Sequence, residues 1–161
     1  MNRIALMIAS SSLSLLVLSG CGGGGGSSVQ QQKTATITFS TVSSAHTAPL
    51  QGIQITERLP TGTSVSNLST ALVGLNNTGQ VVPGLLNLPV VTFSVQQTGT
   101  NPIKFGPFAA LTCDVTPGVT LAESSFVLLN SDIQMTGKDA SGTTVDLVPQ
   151  IPVKLTVTFG F

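Results

Sequence analysis

The chain contains neither tryptophan nor tyrosine, and its only aromatics are seven phenylalanines. Sugar-binding surfaces are usually built on exposed Trp or Tyr faces, so carbohydrate recognition lacks its ordinary platform. A transmembrane barrel lacks its aromatic girdles for the same reason, although Phe161 resembles the terminal aromatic of such barrels. Charge is scarce as well, at 7% of residues with six cations against six anions. No basic face can form from so few, which excludes nucleic acid as a partner. The one histidine, His46, stands between Ala45 and Thr47 in a loop, and no Gly-x-Ser-x-Gly turn presents a nucleophile to it. The acids are scattered rather than paired, as glycoside hydrolysis would need. Asp132, Asp139 and Asp146 recur every seven residues, a spacing that invites a calcium reading. Asp139-Ala140-Ser141-Gly142 nevertheless lacks the alternating acids of a calcium loop, and an Asp in a turn has the simpler role of bonding nearby backbone. No catalytic residue, metal ligand or cofactor is assigned.

What is present begins at the N-terminus. Arg3 precedes a mostly apolar stretch, Ile4 to Leu18, too short for a comfortable membrane-spanning helix. No run of about 20 apolar residues follows it. The stretch closes on Leu18-Ser19-Gly20-Cys21 and opens into Gly22 to Gly26. Those four residues resemble the lipobox of bacterial lipoproteins. The resemblance implies removal of residues 1–20, a diacylglyceryl thioether on Cys21, and fatty acylation (palmitate or similar) of the new N-terminus. Several acyl chains, each contributing about 0.8 kcal/mol per buried methylene, hold far more firmly than one. Residues 22–32 read as an uncharged Gly/Ser/Gln tether spanning about 18 Å. Gly22 after the cysteine is not an inner-membrane retention signal of the enteric type, so the expected address is the outer membrane of a bacterial envelope.

Residues 33–161 read as one domain made of strands. Ala35, Ile37 and Phe39 alternate with threonines and a serine, and Ile53 and Ile55 alternate with Gln54 and Thr56. Glu57 falls in the inward phase. Because an unpaired buried carboxylate is costly, the strand is expected to leave the sheet or bulge there. Leu59-Pro60-Thr61-Gly62 marks a turn. Residues 63–87 fit either a short helix or a loop with one strand. Val91, Phe93 and Val95 form the next inward set, followed by Ala109 to Val115 with Cys113 in phase as a small buried hydrophobe. Once Cys21 carries lipid, Cys113 has no partner for an intramolecular disulfide. Strands are expected over Phe126 to Asn130 and Ile133 to Met135. The last strand has Ile151, Val153, Leu155, Val157 and Phe159 inward, and Pro152 puts it at an edge or marks its start.

Short strands spaced by Gly/Pro turns predict an all-β, antiparallel β-sandwich. Ala35-Thr36-Ile37-Thr38-Phe39, Gly52-Ile53-Gln54-Ile55 before Leu59-Pro60-Thr61-Gly62, Phe105-Gly106-Pro107-Phe108 before Ala109 to Val115, and Leu155-Thr156-Val157 resemble a cohesin-type domain. That resemblance implies a jelly-roll sandwich related to carbohydrate-binding modules. This sequence departs from the pattern at Glu57 and carries no dockerin-like calcium repeat. The expected function is a non-catalytic envelope lipoprotein. Membrane contact comes through the lipid, and sheet edges poor in charge are open to a protein partner. The alternatives are a carbohydrate- or calcium-binding module and a small outer-membrane barrel.

Overall fold

The computed structural model describes residues 30–42, 48–75, 79–148 and 150–161. Among them the chain forms strands β1 (Thr34–Thr41), β2 (Leu50–Arg58), β3 (Thr63–Ser64), β4 (Leu72–Gly74), β5 (Gly79–Asn87), β6 (Val90–Gln97), β7 (Gly106–Val115), β8 (Ile133–Lys138), β9 (Thr144–Asp146) and β10 (Val153–Gly160). A single turn of α-helix, α1 (Leu68–Ala71), starts where the Asn67 side chain accepts the Ser69 N–H at 2.9 Å. The protein is therefore all-β. One sheet runs β10-β1-β7, with β3 and β4 pairing successive stretches of the other edge of β7; the second runs β5-β6-β2-β8-β9. Every pairing is antiparallel.

Period-two alternation sets the faces. In β1, Ala35, Ile37, Phe39 and Thr41 are buried while the intervening residues reach the surface in part. Inward residues of both sheets join one cluster, and Phe39 of β1 meets Phe93 of β6 edge-on at 5.1 Å. Three bulges adjust the pattern. In β7, Phe108 is the extra residue opposite Phe39 and Ser40, so Phe108 and Ala109 both turn inward. In β2, the extra Gln51 lets Leu50 and Ile53 share the core. In β5, Gly84 and Leu85 bulge out opposite Thr92. A Cβ on Gly84 would lie 2.7 Å from the Thr92 carbonyl oxygen, a backbone atom that cannot yield. Gly84→Ala is expected to cost about 1–3 kcal/mol. A matching fall in the thermal midpoint, read by circular dichroism, checks it.

Three expectations need correction. The chain over Phe126 to Asn130 is not a strand. Its first part is extended, with Phe126 at φ −101° and ψ 116°, but it pairs with no neighbour, and Asn130–Asp132 close a 3₁₀ turn. The alternation survives, with Phe126 buried and Val127 and Leu129 out; only the ladder is missing. Second, β2 neither bulges nor leaves its sheet at Glu57. Glu57 pairs with Val91 and Arg58 with Val90, so the ladder to β6 runs to the strand's end, while the ladder to β8 stops at Ile55. Third, of the expected inward set in the last strand, Ile151 and Val157 are buried, whereas Val153, Leu155 and Phe159 are half-buried. The cause is position: β10 is the outermost strand of its sheet, and Pro152 stands just before it. Residues 63–87, unreadable from periodicity, hold α1 and the whole of β3, β4 and β5.

Candidate functional site

The least expected side chain in the core is Glu57. Ile53, Ile55, Glu57 and Leu59 succeed one another on the inward face of β2 and its exit, and Glu57 is 0% exposed. Neither carboxyl oxygen has a hydrogen-bond partner. Burial, followed by the negative charge of nearby Asp132, pushes its pKa up to about 8. At neutral pH the group is therefore mostly a neutral acid, which removes the largest penalty of placing it there. Cys113 of β7 is close enough to feel it. Burial first, then Glu57 and Asp114, push that thiol up to about 12, so it is protonated and unreactive. Glu57 and Cys113 are both fully buried. An acid that works on a substrate must touch it, and Glu57 does not line the groove that opens next to it.

That groove, of about 470 Å³, is lined by Arg58, Pro60, Pro89, Val127, Leu129 and Asp132, among others. Arg58 faces outward because it alternates with Glu57. Val127 and Leu129 are each 57% exposed. The segment carrying them is fixed by Phe126, whose ring packs against Phe159 at 6.4 Å. A shallower groove of about 330 Å³ crosses the outer face of β2, β6 and β8, with Gln54, Ser94, Gln96, Gln134 and Thr136 along it. Those side chains can donate and accept hydrogen bonds, but no aromatic ring lines the groove.

The residues singled out from sequence are not brought together. Cys21 and His46 lie outside the described residues. Asp139 accepts from the Ser141 N–H at 2.9 Å, the Ser141 hydroxyl at 2.6 Å and the Thr143 N–H at 2.9 Å. These bonds, the Ser141 hydroxyl foremost, hold its carboxyl below the usual carboxylate range. Asp146 accepts the Val148 N–H at 3.0 Å. Both are turn-makers, and Asp132 lies apart from them in the groove beside Arg58. Among the described residues no three His, Cys, Asp or Glu side chains converge as metal ligands.

Three of the sheet edges are obstructed in part. β5 carries Pro83 and a bulge, β9 is only three residues long, and Glu123 reaches the Val157 N–H of β10 at 3.5 Å. Among the described residues no helix is long and apolar enough to cross a membrane. The groove beside Arg58 escaped sequence reading because its residues come from separate connections far apart in the chain; the alternation of Val127 and Leu129 was its one legible sign. The fold defines an all-β domain of two antiparallel sheets. Comparison with models of known families, with curated proteins and with solved structures gave no match.

Proposed function

We propose that this protein is a lipid-anchored component of a bacterial cell envelope, held at the outer membrane through Cys21. Its domain is a cohesin-like jelly-roll sandwich acting as a non-catalytic module, either engaging a protein partner or serving a structural role. One observation carries the anchor: Arg3, the short apolar stretch, Leu18-Ser19-Gly20-Cys21 and the glycine run occur in processing order ahead of a strand domain. The two sheets and their common core support the sandwich. The inert state of Cys113 leaves Cys21 as the thiol available for modification.

Cys21→Ser is expected to move the protein from the membrane fraction to the soluble fraction while leaving the circular dichroism of the domain unchanged. Mass spectrometry of the wild-type protein should find an acylated N-terminus at Cys21. Membrane retention of the serine variant, or a bare N-terminus downstream of Cys21, would overturn the anchor.

A further inference from the structure

The tether enters the domain beside exposed apolar side chains. The Lys33 N–H bonds the Gly160 carbonyl, and the Lys33 carbonyl accepts the Val115 N–H, both at 2.8 Å; β1 therefore starts between the ends of β10 and β7. The Gln32 amide clamps the neighbouring loop twice, donating to the Leu121 carbonyl at 3.1 Å and accepting the Leu121 N–H at 2.7 Å. Gln30, Gln31 and Gln32 line a groove of about 420 Å³ together with Val119 and Phe161. Phe161 is 52% exposed.

The same end of the domain collects the exit of β2 and the start of β6 and β8. The link is short: Thr116 N–H bonds the Gly62 carbonyl at 2.8 Å, and Leu59 N–H bonds the Pro89 carbonyl at 2.8 Å. Leu88, Val127 and Leu129, between 47% and 57% exposed, therefore lie at the tether end with Phe161. Lys33, Arg58, Asp114, Glu123 and Asp132 are the charges there, two cations against three anions, so the surface offers apolar contact with only a slight negative excess. Val42 and Phe105 mark the opposite end, separated by the eight-residue length of β1, about 26 Å.

The length of chain before Gln30 decides what meets this end. Even fully extended, the nine residue steps from Cys21 to Gln30 reach no more than about 30 Å. We propose that Phe161, Val127 and Leu129 rest on the phospholipid surface in which Cys21 is embedded, so that the domain stands with its β5–β6 turn and the start of β8 toward the bilayer. This docking rests on the anchor reading. The tether makes contact intramolecular, which raises the local concentration of lipid surface at this patch. With one acid in excess, docking is expected on zwitterionic lipid and is weakened on strongly anionic lipid.

The absence of Trp and Tyr supplies the test. Phe161→Trp and Val42→Trp each create a sole strong fluorophore, one at each end. The full chain, purified lipidated from bacterial membranes, is reconstituted into phosphatidylcholine vesicles with acyl chains brominated near the headgroup. Flotation with the vesicles tests the anchor, and quenching tests the docking. The Phe161→Trp emission should be blue-shifted and cut roughly twofold by bromolipid, as for a ring buried at the headgroup boundary, while the Val42→Trp emission is unaffected. Adding Val127→Ser and Leu129→Ser should restore most of the lost emission. Flotation with equal, unquenched emission from both ends overturns the docking alone. Failure to float, with Cys21 unmodified by mass, overturns the anchor and the docking together. If the indole of the Phe161→Trp variant is shielded from aqueous quencher in cells but not on vesicles, a protein covers the patch, and the lipid contact is likewise overturned.

Discussion

Raising the pH from 5 to 8.5 should lower the unfolding free energy of the domain by about 4 kcal/mol, and Glu57→Gln should abolish most of that fall. The folded pKa of Glu57 is about 8, against an ordinary 4.5. Below 4.5 the group is protonated in both states and contributes no pH dependence. Between 4.5 and about 8 the folded protein keeps a proton that the unfolded chain has released, so stability declines as pH rises. Above about 8 both states are ionised and the decline from this group ends. Cys113 repeats the effect at higher pH, between its ordinary 9.0 and about 12. Asp139 acts in the opposite sense: its stabilising effect is lost as pH falls through its lowered pKa. Domain stabilities of roughly 5–15 kcal/mol make the Glu57 contribution a large fraction of the total.

Glu57→Leu should go further than the glutamine variant. It removes a polar group with no partner and keeps the space filled, so at pH 8.5 it should exceed the wild type by several kcal/mol. Urea unfolding followed by circular dichroism at pH 5 and 8.5 gives all three values. A wild-type stability that is flat across that range would refute the picture of an uncompensated buried acid.

The second large effect is expected at Phe39. Its ring is 0% exposed, meets Phe93 at 5.1 Å and lies 6.3 Å from Phe108. Phe39→Ala leaves a cavity between the two sheets and should cost about 3–5 kcal/mol, enough to leave the domain barely folded at about pH 8. Phe39→Leu, which retains most of the volume, should cost about 1–1.5 kcal/mol. The contrast between the two tests whether Phe39 is packed from both sides. Similar small losses for both variants would mean that the sheets are not joined there.

The two effects differ in how they could be foreseen. Phe39 announces itself by alternation, because in a strand successive side chains face opposite ways whatever the partner. Glu57 obeys the same alternation, yet its outcome was open. A charged Glu57 would have forced β2 out of the sheet. A protonated one can stay, since pairing with Val91 and packing between Ile55 and Leu59 continue without a buried charge. Which state holds depends on how many groups surround the carboxyl, including Cys113 and Asp132 from distant parts of the chain.

The sequence alone determined the strand character around 35–39, 53–55, 91–95, 109–115 and 153–159 and the turn at Pro60-Thr61-Gly62. These follow from side-chain period and from local backbone preferences, which need no partner. Only the tertiary structure decided that Phe126–Leu129 runs extended but unpaired, that Glu57 remains inside as an acid, and that the grooves lined by Phe161 and by Val127 and Leu129 open at the end where β1 begins. Pairing and burial belong to segments far apart in the chain, and no local pattern encodes which of them will meet.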